Sequence, residues 1–317
     1  MIRGRLLVVL LAFGVAATAC TGDPNDGDEG GLDTSFSAVM ASTWHYAGAP
    51  QRVQIGILAS DENGVRPVTQ GSVDVSFSFL GAQGGDAPVQ GPSATARFLP
   101  VPGSAPQGNE PALVTGANGV YEAEDVTFDR PGVWRATVSL AIGGVAREIG
   151  ADFPVAETSA IPAPGMDAPA TETLTMDSKV RPGAIDSMAD GGGAIPDPEL
   201  HRLTIAAALR LHRPILALFG TPAYCESRFC GPEVQALQRL ASEHPEAAVY
   251  VHVEIWKDFD AQVINKGAAD WLLRGSDMTE PWLFLIGPDG VIVDRWGPLF
   301  DPAEVADELT AIPPIEG

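Results

Sequence analysis

Two cysteines, Cys225 and Cys230, are the side chains in this sequence whose type and spacing most clearly suggest chemistry. Four residues separate them. On a regular helix, Cα atoms five residues apart lie about 8 Å from each other, which is too far for a disulfide bond. A bond between these sulfurs would therefore require Cys225 in a loop and Cys230 at or just before the N-terminus of a helix. In that position, helix-end donors and Arg228 would favour the thiolate, which is the nucleophilic form of cysteine.

The elements around the cysteines must hold them at such a junction, and their pattern alternates between helix and strand. Asp197-Pro198 is an N-cap followed by proline at the first helical position, and an apolar period continues to Leu211. Residues 215–219 form a short apolar run that is typical of a strand buried on both faces. The predicted order is helix, strand, helix, strand, helix, strand, strand, helix, with the later elements at residues 232–241, 249–255, 260–273, 282–286, 291–296 and from 301 onward.

The last 120 or so residues, 197–317, resemble the thioredoxin-like fold. The resemblance rests on the order of the elements, on the cysteine motif between the first strand and a helix, on Pro281 directly before the third strand, and on the hairpin sequence at residues 287–290. Pro281 matches the proline that this family keeps in cis beside its active-site cysteines. A group of exported bacterial thioredoxin-like proteins is more closely similar, in segments 219–225, 229–232, 251–254 and 280–282.

The resemblance implies a thiol-disulfide oxidoreductase or electron carrier that uses no cofactor. It implies that the two cysteines form a disulfide, with Cys225 as the attacking thiol and Cys230 as the resolving thiol. Pro281 is then a catalytic residue that shapes the substrate groove. The other residues that shape the site are Arg228, Glu280 and Trp282.

Two departures from the family keep other functions open. The cysteines follow a C-x4-C pattern instead of C-x-x-C, and Glu280 stands where thioredoxins usually place an uncharged residue. A carboxylate beside the sulfurs would disfavour the thiolate. One alternative is therefore a structural disulfide in a non-catalytic binding or assembly protein. A weaker one is a Cu(I) site of Cys225, Cys230 and His252, because Sco-type copper chaperones share this fold, a cysteine pair and a histidine; no other metal is expected.

The first half of the chain has the pattern of β-strands. Apolar residues alternate with polar ones along residues 73–79, which indicates a strand with one buried face. About seven short strands separated by turn sequences occur within residues 33–155, and this spacing predicts an Ig-like β-sandwich. Residues 156–196 are rich in proline and glycine and have hardly any sustained apolar period, so we expect a linker.

Residues 1–19 have the charged, apolar and small-residue regions of a secretory signal peptide. Cys20 follows directly, and residues 20–32 form a polar, flexible tether. This segment resembles a bacterial lipoprotein signal, although Ala17 stands where that family usually has Leu. The resemblance implies that Cys20 carries a lipid that anchors the protein to the extracytoplasmic side of a bacterial membrane. Ordinary cleavage after Ala19 is the alternative, and it would leave Cys20 as an exported free thiol.

The charge balance restricts the partners of the protein. The chain has 19 Lys and Arg against 41 Asp and Glu among 317 residues, a net charge of −22, which disfavours nucleic acid as a partner. No segment after the signal has about 18 consecutive apolar residues, so no transmembrane helix is expected. We therefore predict an all-β Ig-like sandwich followed by an α/β thioredoxin-like domain. We expect it to act on thiols or disulfides of exported proteins.

Overall fold

Alternating apolar side chains build the first sheet, because every second residue of a strand points to the same face. In the computed structural model, which describes residues 34–104, 108–225, 227 and 229–312, Val73, Val75 and Phe77 are buried and the residues between them are more exposed. The predicted signal peptide, the tether with Cys20, and Arg228 lie outside the described residues.

Eight strands of the first half pair into one antiparallel sheet. They are β1 (Ser35–Met40), β2 (Gln51–Asp61), β3 (Gly64–Pro67), β4 (Ser72–Phe79), β5 (Val89–Pro100), β6 (Gly119–Val126), β7 (Gly132–Ile142) and β8 (Val145–Val155). Their order is β1-β2-β6-β5-β4-β7-β8, with β3 paired to β2. The sheet is nearly closed into a barrel, and Phe77, Phe128, Trp134 and Phe153 pack against one another in its core.

The second half builds a smaller sheet with short helices. Its elements are α1 (Ile205–Leu209), β9 (Ile215–Phe219), α2 (Cys230–Glu243), β10 (Val249–Val253), β11 (Trp256–Asp258), β12 (Val263–Ile264), α3 (Lys266–Leu272), β13 (Trp282–Ile286), β14 (Ile292–Trp296) and α4 (Pro302–Ala311), with 3-10 helices at Pro182–Ala184, Ser187–Ala189 and Pro198–His201. The sheet order is β10-β9-β13-β14, in which β10 and β9 are parallel and the other pairs are antiparallel. Every residue of the central strands β9 and β13 is buried. None of the helices in the described part of the chain is long and apolar enough to cross a membrane.

The fold class differs from the one that the sequence predicts. Of the described residues, 39% lie in strands and 17% in helices, with four α-helices. The first sheet is single and nearly closed, so the predicted two-sheet Ig-like sandwich is wrong. No α/β thioredoxin-like domain is evident in the described residues, and that part of the prediction is wrong as well.

Two physical reasons account for the error. Alternation shows that a strand has one buried face, but not whether the strands pair in one sheet or pack as two. Apolar periodicity also overstated the helices. The helix predicted from residue 197 to 211 is a short 3-10 helix followed by α1, which begins anew where the Thr204 hydroxyl accepts the N–H of Ala207 at 2.9 Å. The helix predicted at residues 260–273 is reduced to the 7 residues of α3.

Arg52 of β2 connects the first sheet to the second half of the chain. Its guanidinium lies 2.8 Å from Asp294 and 3.1 Å from Glu308, and it also pairs with Glu304. The side chain is 17% exposed, and the guanidinium lies over the ring of Trp296 at 4.9 Å. Burial by itself lowers the pKa of Arg52, but the acidic partners outweigh burial and raise it. Arg52 is therefore a cation surrounded by three carboxylates.

A buried pair of hydrogen bonds joins the same two halves. Nε2 of Gln54 donates to the carbonyl oxygen of Leu299 at 2.7 Å, and Oε1 of Gln54 accepts the N–H of Leu299 at 3.2 Å. Nε2 also donates to Glu122 at 2.6 Å, and burial raises the pKa of Glu122 to about 7. Residues from Thr34 onward belong to one compact unit. The domain boundaries drawn within it from the sequence stay predictions.

Replacing Arg52 should destabilise the protein more than replacing an arginine of an exposed ion pair. Arg52→Met leaves Asp294 and Glu308 without their cation, whereas Glu304 keeps its contact with Arg97. We expect the free energy of unfolding to fall by about 2 to 4 kcal/mol, less than for a fully buried pair. The matched control is Arg135→Met, because Arg135 is 47% exposed and lies 2.6 Å from Asp152. Its loss should be much smaller, because solvent screens an exposed ion pair. Urea unfolding followed by circular dichroism measures both, and equal losses would contradict a joining role for Arg52.

Candidate functional site

Cys225 and Cys230 form a disulfide bond where the loop after β9 enters α2. Their Cα atoms are 6.0 Å apart. Cys225 lies in the loop and Cys230 is the first residue of α2, which is the arrangement that their spacing requires. The two residues differ in access, because Cys230 is 0% exposed and Cys225 is partly exposed. An external thiol can therefore reach Cys225 more easily than Cys230.

The sulfur of Cys225 lies among hydrogen-bond donors. The backbone N–H of Cys230 donates to Cys225 Sγ across 3.4 Å, and Ser227 Oγ lies 3.2 Å from the same sulfur. The first N–H groups of a helix have no partner within the helix and form the positive end of its dipole. Such donors stabilise negative charge, so the site favours a thiolate at Cys225 when the disulfide is opened.

A cavity of about 600 Å³ lies beside Cys225. Its walls include the rings of Tyr224, Phe259 and Trp256, and Tyr224 and Phe259 stack with their centroids 4.0 Å apart. Thr43 of the first half lines the same cavity, so both halves of the chain contribute to it. Concave sites with mostly apolar walls and a few polar groups are typical of ligand-binding sites.

Three residues predicted from the sequence to belong to the site lie at this cavity. The Glu280–Pro281 bond is cis, as predicted, and both residues line the cavity together with Trp282. Oε2 of Glu280 accepts the backbone N–H of Thr221 at 2.8 Å, so this carboxylate holds the loop that leads to Cys225. The structure thus brings Glu280, Pro281 and Trp282 together with the disulfide, and their roles in catalysis stay predictions.

Gly220 connects the disulfide to a buried histidine. A Cβ atom at Gly220 would lie 3.4 Å from Cβ of Cys230 and 3.4 Å from Cβ of Pro281, so Gly220 lies directly beside both residues. The carbonyl oxygen of Gly220 lies 3.0 Å from Nε2 of His252 and accepts its proton. The same residue therefore contacts the disulfide on one side and His252 on the other.

His252 does not belong to a site with the two cysteines. Its Nδ1 lies 3.6 Å from Oδ2 of Asp186, and its ring centroid is 5.0 Å from that of His201. Among the described residues His252 clusters with Asp186 and His201, and no metal-binding cluster joins it to Cys225 and Cys230. The three ligands of the weaker Cu(I) alternative are therefore not brought together.

Sequence analysis missed the segment that supports the cysteine loop. Oγ of Ser187 lies 3.1 Å from the N–H of Ala223 and 3.2 Å from Oγ1 of Thr221, and it accepts a hydrogen bond from each. The N–H of Ser187 donates to Oε2 of Glu254 at 2.7 Å. Residues 182–190 follow neither the period of a helix nor that of a strand, so local pattern gave no signal for this contact.

The pKa values of the ionisable groups beneath the cysteine loop shift in opposite directions. Burial raises the pKa of Glu254. Burial also acts to raise the pKa of Asp186, but two histidines outweigh it and the pKa falls. Burial lowers the pKa of His201. Burial also acts to lower the pKa of His252, but the nearby carboxylate of Asp186 outweighs it and the pKa rises. In the absence of any other cation, Asp186 and His252 form the charged pair.

Glu233 is a further buried acid, three residues after Cys230 in α2. It is 0% exposed, and neither carboxylate oxygen has a well-formed hydrogen bond among the described residues. Burial raises its pKa well above the ordinary value of 4.5, and a backbone group of Phe300 and the charge of Arg239 oppose this shift only in part. Glu233 is therefore more easily protonated in the folded protein than in the unfolded chain.

Comparison with known proteins leaves this site to be interpreted from its own residues. No family model matches the chain. No curated protein matches it either. Its function is therefore inferred from the disulfide, the cavity beside it and the buried network beneath it.

Glu233→Gln should stabilise the protein in a pH-dependent way. The folded state holds the Glu233 proton more tightly than the unfolded chain does, so the cost of keeping Glu233 in the fold grows as the pH rises above about 4.5. The side chain of glutamine does not titrate, so the variant does not have this cost. We expect Glu233→Gln to raise Tm at pH 8 by about 2–4 °C, which corresponds to about 1 kcal/mol, and to have little effect near pH 4.5. Differential scanning calorimetry across this range measures the effect, with Glu243→Gln on the exposed side of α2 as the control. A gain that is the same at every pH would contradict this explanation.

Proposed function

We propose that this protein exchanges disulfides with the thiols of exported proteins, and that Cys225 is the sulfur that bonds to the substrate. The observation that carries the proposal is the asymmetry of the pair. Cys225 is partly exposed at a cavity and accepts the N–H of Cys230, while Cys230 is fully buried at the start of α2. Accessible sulfurs with nearby donors are typical of labile disulfides, and a structural disulfide needs neither feature.

The chemistry balances with one pair of cysteines and one substrate dithiol. A substrate thiolate attacks Sγ of Cys225, the S–S bond breaks, and its electron pair passes to the sulfur of Cys230. A second substrate thiolate then attacks the substrate sulfur of this mixed disulfide and releases Cys225 as a thiolate, which the Cys230 N–H and the Ser227 hydroxyl stabilise. Two electrons and two protons have passed from the substrate to the protein. The reverse sequence reduces a substrate disulfide.

The cavity supports the proposal because it offers a surface next to the reactive sulfur. Its rim at Thr279 is held by three hydrogen bonds: Nε1 of Trp44 donates to Thr279 Oγ1 at 2.7 Å, Nε1 of Trp282 donates to it at 3.1 Å, and the Thr43 hydroxyl lies 3.1 Å away. A fixed apolar wall can orient the residues beside a substrate cysteine, which raises the rate of an exchange step. The first sheet takes part in this wall through Thr43 and Trp44.

We also propose that the protein works outside the cytoplasm and is anchored to a bacterial membrane by a lipid on Cys20. The support is the sequence of residues 1–32, which has a signal-like apolar region followed by a cysteine and a polar tether. Extracytoplasmic compartments are oxidising, and proteins there carry the disulfides that the proposed exchange would act on.

Titration of the reduction potential tests the exchange function. The full chain with Cys20→Ser is equilibrated in graded thiol-disulfide buffers, free thiols are trapped, and the products are weighed by mass spectrometry. We expect a midpoint above about −250 mV and rapid exchange, because the Cys225 sulfur is accessible and its thiolate is stabilised. A midpoint below about −300 mV, or sulfurs that exchange only after unfolding, would make the disulfide structural and overturn the proposal.

Paired serine variants test which sulfur bonds to the substrate. Both variants also carry Cys20→Ser, so each keeps a single cysteine. In Cys230→Ser the remaining Cys225 should form a stable mixed disulfide with a cysteine peptide, because no second cysteine resolves it. In the matched variant Cys225→Ser the remaining Cys230 is buried, and mixed-disulfide formation should be slower by about tenfold or more, since access limits exchange. Equal rates in the two variants would contradict the assignment of Cys225 as the sulfur that bonds to the substrate. Trapping by Cys225→Ser alone would show that Cys230 is that sulfur.

Replacement of Cys20 tests the anchor. In a bacterial host that modifies lipoproteins, we expect the wild-type chain in the membrane fraction and Cys20→Ala in the soluble fraction, because acyl chains provide the membrane affinity. Cys225→Ala is the control and should stay in the membrane fraction. Equal distribution of wild type and Cys20→Ala would contradict lipidation and favour ordinary signal cleavage.

A further inference from the structure

Beyond thiol-disulfide exchange, we propose that Asp186, His201 and His252 form a buried binding site for one divalent first-row metal ion, for which Zn²⁺ is the best match. The three residues lie beneath the cysteine loop and come from separate parts of the chain. Asp186 precedes one 3-10 helix, His201 ends another, and His252 lies in β10. Their ligand atoms all lie within 4.8 Å of one another, and all three residues are buried.

The distances in the cluster fit a shared cation better than direct hydrogen bonds. Nε2 of His201 lies 3.5 Å from Oδ2 of Asp186, and Nδ1 of His252 lies 3.6 Å from the same oxygen. Hydrogen bonds between nitrogen and oxygen usually span about 2.7–3.2 Å. Ligands about 2.0–2.1 Å from a tetrahedral zinc ion are separated from each other by about 3.3 Å, which is close to the observed spacing.

The hydrogen bond made by His252 also supports a cation in the cluster. Its Nε2 donates to the carbonyl oxygen of Gly220 at 3.0 Å, and this hydrogen bond fixes the proton on Nε2. In the neutral ring Nδ1 is then an acceptor, and it faces another acceptor, Oδ2 of Asp186. Two acceptors facing each other in a buried site repel, so this contact requires a positive charge between them, either a metal ion or a proton on Nδ1. Histidine ligands of metal ions are oriented in this way, by a hydrogen bond from the other ring nitrogen to a backbone carbonyl.

Unpartnered nitrogens at the cluster are the second observation. Neither Nδ1 nor Nε2 of His201 has a hydrogen-bond partner among the described residues, and Nδ1 of His252 has none either. His201 is 0% exposed and His252 is 1% exposed, so solvent does not replace the missing partners. A buried polar atom without a partner destabilises the folded state. A metal ion bound to one nitrogen of each ring would remove most of this destabilisation.

The buried carboxylates around the cluster also favour a bound cation. Asp186 and Glu254 are each 1% exposed, and in the described part of the chain no lysine or arginine forms an ion pair with either of them. The remaining oxygen of Asp186, Oδ1, accepts the N–H of Met188 at 2.9 Å, which leaves Oδ2 for the ion. With two neutral histidines, a divalent ion balances the two carboxylates.

The type of ligand selects the metal. Two imidazole nitrogens and one carboxylate oxygen suit Zn²⁺ and its neighbours, whereas Mg²⁺ and Ca²⁺ prefer oxygen ligands and Cu(I) prefers sulfur. Three protein ligands leave one position of a tetrahedral ion, which a water molecule can fill. Since the ligands come from three segments, the ion would stabilise the support of the cysteine loop.

Metal binding by the full chain tests the site. The protein, with its disulfide intact, is stripped with a chelator and titrated with Zn²⁺ by calorimetry and with Co²⁺ by visible absorption. We expect one equivalent to bind with a Kd below about 1 μM, and Co²⁺ to show bands of nitrogen and oxygen ligands without a thiolate band. Asp186→Asn, His201→Gln and His252→Gln should each weaken binding by about 100-fold or more, because even the partners of ligands are worth about 10- to 100-fold. His212→Gln, at an exposed histidine, should bind as the wild type does.

The contrary outcomes are equally specific. Binding no tighter than about 1 mM would show that a proton on His252, not a metal ion, neutralises Asp186. Tight binding that survives all three substitutions, or that appears only after reduction of the cysteines, would place the metal elsewhere. If a variant does not fold by circular dichroism, the Co²⁺ spectrum of the wild-type chain decides alone. None of these results changes the test of thiol exchange, because that test uses the cysteines and no metal.

Discussion

Asp186 and Glu254 are buried, and buried carboxylates are stable only where hydrogen-bond donors or cations surround them. The N–H groups of Ser187 and Trp256 donate to Glu254 at 2.7 and 3.1 Å. His252 of β10 faces Asp186. These groups come from the segment at residues 182–190, from β10 and from β11, so solvation of the two carboxylates fixes how these parts of the chain are arranged. No single element can solvate the two carboxylates alone, because each of their partners lies on a different element.

The cysteine loop depends on this buried network. Ser187 donates its N–H to Glu254 and uses its hydroxyl to hold the N–H of Ala223, two residues before Cys225. Gly220 accepts a hydrogen bond from His252 and packs against the disulfide. The loop is therefore fixed at two points, and the geometry at Cys225 follows from contacts with residues that lie far away in the sequence. The sulfur of Cys225 is therefore held in place by residues that do not themselves contact it.

The parts of the site that the sequence predicted depend on short-range rules. The spacing of Cys225 and Cys230 determines that a bonded pair must lie at a helix start, and Pro281 lies directly before a buried strand, where its cis bond is found. The fold class was not predicted, because alternation in each strand does not determine how eight strands close into one sheet. The cluster of Asp186, His201 and His252 was not predicted either. Its members are 15 and 51 residues apart along the chain, and Asp186 lies in a segment without a regular period.

The difference between short-range rules and long-range contacts also explains why a resemblance in short segments is a poor guide to the fold class. The matching segments surround the cysteines and Pro281, and they are the parts of the chain whose conformation is decided locally. What the segments do not contain is the contact of Thr43 and Trp44 with Thr279, which brings the first sheet to the cavity. A substrate at Cys225 would meet residues from both halves of the chain. Any specificity of the proposed exchange would therefore depend on the whole compact unit and not only on the segments that carry the cysteines.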